Sequence, residues 1–211
     1  MSRSQAISLP EAAWAGKRSR TFEFPADWSV KVYPMNGYEA KPLKREDILW
    51  SLRNPIGSRP LRKLAEGKKE VAIVFDDITR PTRVGEIAAF VLEELKAAGI
   101  KDDNIRFISA LGAHRAMNRE EFTKKLGEEI LERYAVYNHN PFHDYEPLGE
   151  TSYGTPVEVN GEYASSDLRI GIGCIVPHPM MGFGGGAKII LPGIASLNAI
   201  ERNHADLGGY V

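Results

Sequence analysis

The chain has 211 residues, 43% hydrophobic and 26% charged, a balance that permits a real globular core. A formal net charge of −1 with scattered Lys and Arg argues against a nucleic-acid surface, and no apolar run approaches the ~20 residues of a membrane span. One cysteine, Cys174, excludes an internal disulfide and a cysteine-based zinc cage, so a reducing cytoplasm is the expected home.

Residues 1–28 mix charge with Pro10 and Pro25 and carry no apolar signal segment; they read as an N-terminal arm or a first strand. Residues 29–211 read as one α/β domain. Residues 30–34 alternate and predict a strand. Residues 45–52 predict a short helix stopped by Asn54-Pro55, and residues 60–65 another, with Gly67 beyond its end. Residues 71–75 form a continuous apolar run, the pattern of a strand buried on both faces, which ends abruptly at Asp76-Asp77. After Pro81, Val84, Ile87, Ala88, Val91 and Leu95 share one helical face, with Gly99 suited to the C′ position. Residues 105–111 predict the next buried strand, completing a β-α-β unit and hence a parallel sheet. Asn118 is a good N-cap, with Glu121 at N3 and Met117–Phe122 as a hydrophobic staple; the helix should run towards Tyr134, broken near Gly127. Residues 138–156 are turn-rich, residues 168–176 predict a third buried strand, and residues 196–204 a final helix.

Polar chemistry gathers after the carboxyl ends of the predicted strands. The segments are Asp76-Asp77-Ile78-Thr79-Arg80-Pro81-Thr82, Gly112-Ala113-His114-Arg115 and Pro177-His178-Pro179. Open α/β sheets bind ligands at that edge. Each segment alone also reads as a solvated turn, but three together point to a site. The loop Gly182-Phe183-Gly184-Gly185-Gly186-Ala187-Lys188 is not a Walker A loop, since Ala187 precedes the lysine and Ile189 follows it. It also fails the dinucleotide fingerprint, which disfavours a conventional NAD enzyme. Its glycines imply positive φ or close backbone approach, and their N–H groups suit an anion; a flexible hairpin is the plain alternative. Lys188 beside the apolar Ile189-Ile190-Leu191 run is a candidate nucleophile. His139 and His143, in turn-rich sequence, are read as loop residues outside the site.

Taken with His178, Lys188 and Asn203-His204, these segments resemble the lactate racemase family in order, letters and spacing. Asn54-Pro55-Ile56-Gly57-Ser58 resembles a family segment as well, and the match runs from about residue 30 to the end. The sequence departs from the family at Gly184, where a serine is usual. The fold the resemblance implies is a Rossmann-like three-layer α/β domain with a mostly parallel sheet. The function it implies is racemisation or epimerisation of a lactate-like 2-hydroxy acid by hydride transfer. The cofactor it implies is a nickel pincer nucleotide, pyridinium-3,5-bisthiocarboxylic acid mononucleotide nickel, covalently held at Lys188.

Carried over by position, His114 and His178 would be the paired acid/base residues and His204 the protein ligand to nickel. Arg80 would grip the substrate carboxylate, and Asp77, Gly184, Gly185 and Gly186 would contact or orient the cofactor. The chemistry is coherent. No side chain accepts hydride, so a cofactor must. Two histidines of pKa ~6.5 can serve the two enantiomers, and neutral imidazole is a suitable nickel ligand. The family normally continues into a second domain that closes over the site, which this chain lacks. Little or no activity is therefore expected of it alone, and an exposed apolar face would favour self-association or a separate C-terminal half. A non-catalytic module binding a phosphorylated ligand through the glycine loop and Arg80 is the alternative.

Overall fold

In the computed structural model, which describes residues 5–11, 14, 16, 18–178, 181–206 and 208, the chain divides into two units, residues 1–42 and 43–211. Pro179 of the strand-end segment lies outside the described residues.

In the first unit, β1 (Gln5–Pro10) and β2 (Ser19–Phe24) pair antiparallel, with Gln5 opposite Phe24. Residues 30–34, predicted as a strand, have no regular structure. Val32 and Tyr33 are exposed, so their alternation serves no buried face.

The second unit opens with α1 (Arg45–Arg53) and α2 (Leu61–Ala65). Then come β3 (Val71–Asp76), α3 (Val84–Ala97), β4 (Ile105–Ala110), α4 (Arg119–Leu126), α5 (Glu128–Arg133) and β5 (Ala135–Asn138). A hairpin of β6 (Tyr145–Glu150) and β7 (Pro156–Asn160) leads through α6 (Gly161–Ser165) to β8 (Leu168–Ile172). The hairpin occupies part of the stretch read as turns. A short pair, β9 (Pro177–His178) and β10 (Gly182–Phe183), precedes α7 (Leu197–Glu201). The predicted last helix is therefore α-helical only to Glu201; Arg202–Asp206 continue it as a π-helical turn.

Four parallel strands form the sheet in the order β5-β4-β3-β8. Alternate residues of β3 serve opposite faces, as the strand period requires. Val71, Ile73 and Phe75 pack with Phe107, Val84, Leu95 and Phe122 beneath α3 and α4. Ala72 and Val74 pack with Ile108 and Ile194 on the other side, against Ile189, Ile190 and Tyr163. This is the expected three-layer α/β arrangement. The third strand is shorter and less buried than its apolar sequence implied, because β8 lies at the sheet's edge and only Ile172 within it is buried. Asn118 caps α4 through Glu121 N–H, and the Glu121 carboxylate returns to Asn118 N–H; Gly127, with positive φ, separates α4 from α5. Glu94, buried on α3, accepts hydrogen bonds from Arg53 and Arg62 and so ties α1 and α2 to the layer. Burial raises its carboxyl pKa, but the two arginines outweigh this and hold it below the ordinary range. Among the described residues no helix is long and apolar enough to cross a membrane.

Candidate active site

The chain adds β4 and β5 on one side of β3 and returns to add β8 on the other. A crevice opens at the strands' carboxyl ends where such a sheet reverses direction. At the end of β3, Asp77 is buried, and its Oδ1 accepts from Thr79 N–H at 3.1 Å and the Thr79 hydroxyl at 2.5 Å. This side-chain-to-backbone turn is what Asp commonly makes. Asp77 Oδ2 lies 2.7 Å from His114 Nδ1. An ionised carboxylate only accepts, so His114 donates Nδ1–H and keeps its acceptor lone pair at Nε2. The turn after β4 brings His114 there: its N–H donates to Leu111 carbonyl, and Gly112, at φ 57°, packs on Pro192. Arg80 closes its own turn, its N–H donating to Asp77 carbonyl and Nη1 to the Thr79 hydroxyl.

The glycine loop forms the facing wall. Gly182 pairs with His178 across β9 and β10, and Met181 N–H donates to His178 Nδ1 at 3.2 Å. In the neutral ring the His178 proton is then on Nε2, the reverse of His114. Gly185 sits at φ 80°, and a Cβ there would lie 2.3 Å from Cys174 carbonyl, so the loop needs glycine both for its dihedral and for its close approach. Gly186 begins a tight 3-10 turn, Gly186–Ile189, that presents Lys188.

His114, His178, Lys188 and His204 all line one cleft of about 300 Å³. Asp77, Arg80, Gly184 and Gly185 line it with them, whereas Gly186 supports the Lys188 turn without lining it. His139 stays outside, its Nε2 bonded to Ala195 carbonyl; His143 does too. Burial, and secondarily the charge of Arg80, holds the Lys188 amine below its usual pKa. His178 is likewise lowered, by burial first and then by Lys188, Arg80 and His204. Arg80 and Lys188 thus share the cleft with two carboxylates, Asp76 and Asp77.

Two further residues belong to the setting. Asp76 lines the cleft, and Lys125, on α4, is fully buried with Nζ 2.6 Å from Asp76 Oδ1. Sequence reading missed this lysine. The available signal was its position three residues after Phe122 and one before Leu126, on the apolar face of the helix. The π-helical turn that carries His204, a geometry often found at functional sites, had no sequence signature.

His204 Nδ1 is buried and has no hydrogen-bond partner. Among the described residues no group of three or more His, Cys, Asp or Glu could hold a metal ion. The unpartnered nitrogen of His204 fits a single protein donor to a metal whose remaining donors come from an organic group. A lysine with a depressed pKa beside glycine backbone fits the covalent seat of such a group.

Residues 15–208 match the lactate racemase N-terminal domain. The chain belongs to the lactate racemase family. It is 32% identical over 193 residues to a lactate racemase from Thermoanaerobacterium thermosaccharolyticum, spanning 90% of this chain and 45% of that protein. It is 36% identical over 170 residues to the lactate racemase of Lactiplantibacillus plantarum, spanning 80% and 40%. The solved lactate racemase apoprotein from T. thermosaccharolyticum superimposes with a TM-score of 0.75 at 31% identity, covering 95% of this chain and 46% of that one. A Thermotoga maritima protein gives 0.64 at 30% identity, covering 80% and 43%. The likeness agrees with a Rossmann-like α/β fold. The chain spans less than half the length of the lactate racemases it matches.

Proposed function

We propose that this chain is the catalytic α/β portion of a cytoplasmic racemase or epimerase acting on a small, lactate-like 2-hydroxy acid. The observation that carries the reading is the meeting of His114, His178, Lys188 and His204 in one cleft. The alternative, a phosphate-binding module, gives no role to several imidazoles facing one space.

Lys188 would hold a nickel pincer nucleotide covalently and His204 would ligate its metal, with the backbone of Gly184 to Gly186 around it. When bound, that group supplies the hydride acceptor that side chains lack. Arg80 binds the substrate carboxylate through its guanidinium fork. His114 takes the hydroxyl proton at Nε2. Asp77 acts through His114, fixing its tautomer and stabilising the imidazolium that forms. His178, with the opposite tautomer, serves the other enantiomer, and its lowered pKa favours the neutral ring. The chain alone is proposed to be inactive, because the cleft is open and this chemistry needs water excluded.

The test is peptide mass spectrometry of the protein co-expressed with cofactor-making enzymes. A mass addition at Lys188 is expected, together with bound nickel that His204→Ala loses. Nickel-containing protein with an unmodified Lys188 would reject the covalent assignment.

A further inference from the structure

The most unusual group beside the cleft is a buried charge that the proposed chemistry does not use. The Lys125 side chain is 0% exposed. Its ammonium lies 2.6 Å from Asp76 Oδ1 and donates at 3.1 Å to the carbonyls of both Arg80 and Thr82. The other oxygen of Asp76 accepts from the Thr82 hydroxyl and, at 3.3 Å, from Cys174 N–H. Lysine on α4 thereby fixes the start, the middle and the end of the loop from Asp76 to Thr82. Asp76 also ties that loop to Cys174, whose carbonyl is the surface on which Gly185 packs. One ion pair therefore braces both walls of the cleft.

Stability alone is a poor reason for such a pair. Apolar residues of similar volume in place of a buried ion pair are often as stable or more so. Burial depresses the Lys125 amine, and the Asp76 carboxylate opposes this. The benefit of the pair is geometric: an ammonium directs several protons at fixed carbonyls, which a hydrocarbon cannot do.

We propose that Lys125 and Asp76 form a buried positioning pair that holds the Asp77–Arg80 loop in register with His114, so that Asp77 keeps His114 in its Nδ1–H tautomer. The catalytic consequence rests on the proposed racemase function; the geometric claim does not.

The test uses the 211-residue chain labelled with 15N-histidine, read by long-range proton–nitrogen correlation at pH 7.5, with the chain's five histidines assigned by substitution. In the parent, His114 should show a protonated Nδ1 and His139 a protonated Nε2, the latter bonded to Ala195 carbonyl. Lys125→Met should erase the single-tautomer pattern of His114, drawing its two nitrogen signals towards each other, and leave His139 unchanged as an internal report on the fold. Because Lys125→Met strands a buried carboxylate, the double variant Lys125→Met/Asp76→Asn, which removes both charges, is the deciding protein. An unchanged His114 pattern in a folded double variant overturns the proposal. In the cofactor-loaded chain fused to the second half of one of the lactate racemases it matches, the same variant should lose about 100-fold in kcat, the scale of a misplaced catalytic group, with nickel content and Lys188 modification retained. If the parent loaded enzyme fails to racemise while the His114 signature moves as described, the functional reading falls and the positioning pair stands.

Discussion

His139 shows how one residue can matter to the site without entering it. It is buried, its Nε2–H donates to Ala195 carbonyl at 2.9 Å, and its Nδ1 faces the Asn160 amide at 3.4 Å. Ala195 lies just before α7, the helix that leads to His204, so this imidazole anchors the base of that arm. Burial depresses its pKa, partly offset by the bond to Ala195. A histidine pKa lower in the folded state means that the unfolded chain takes up its proton first as pH falls. The stabilisation is therefore complete above the unfolded value of ~6.5 and is lost as pH drops from there through the folded value. Urea unfolding at a series of pH values from 7.5 to 5 should show a falling midpoint. His139→Gln should be less stable at pH 7.5 and show a shallower decline; an unchanged pH slope in that variant would remove His139 as the cause.

At the scale of elements, the sequence was legible wherever hydrophobic period and local capping agreed. The β3-α3-β4 unit and the Asn118 cap follow from patterns contained within a few residues. What could not be read depends on partners distant in sequence. Residues 30–34 alternate but bury nothing, and β8 looks like a core strand although it occupies an edge. β5 is only Ala135–Asn138, too short to declare itself without β4 beside it. In the candidate site, the strand-end aspartates and histidines could be picked out because the sheet delivers them to one edge. Lys125 showed itself only as a charge on an apolar helix face, because its partner Asp76 is on another element. The glycine loop permits a test at this scale. Gly182 and Gly185 both have positive φ, but only at Gly185 does an added Cβ meet backbone, 2.3 Å from Cys174 carbonyl. Alanine at either position should lose about 1–2 kcal/mol from the dihedral. Gly185→Ala should lose more, and should also slow acylation of Lys188 by an amine-reactive reagent, because its loop must leave Cys174. Equal urea midpoints and equal Lys188 labelling in the two variants would show that the close approach is unimportant.

For the molecule as a whole, the decisive property is that the cleft is assembled but open. The His114 side chain is 49% exposed even though its partner Asp77 is only 4% exposed. The fold therefore fixes the orientation of this imidazole without enclosing the space in front of it. Water at that position would compete with the substrate hydroxyl for His114 Nε2 and weaken the hold of Arg80 on a carboxylate, since charge interactions fade in high dielectric. The proposed hydride chemistry would add a further demand, because a reactive centre exposed to water is diverted. These considerations separate assembly from turnover. Under the proposed function, modification of Lys188 would draw on an amine of lowered pKa, whereas racemisation would need a cover over the cleft. Loaded protein consisting of this chain alone should thus carry the Lys188 modification yet interconvert D- and L-lactate at least about 100-fold more slowly than the same chain fused to the second half of one of the lactate racemases it matches, the scale expected when reacting groups are incompletely enclosed and positioned. Chiral chromatography of the two preparations, normalised to modified Lys188, measures the ratio. Equal rates would mean that the open cleft is already competent and that enclosure contributes nothing to the chemistry.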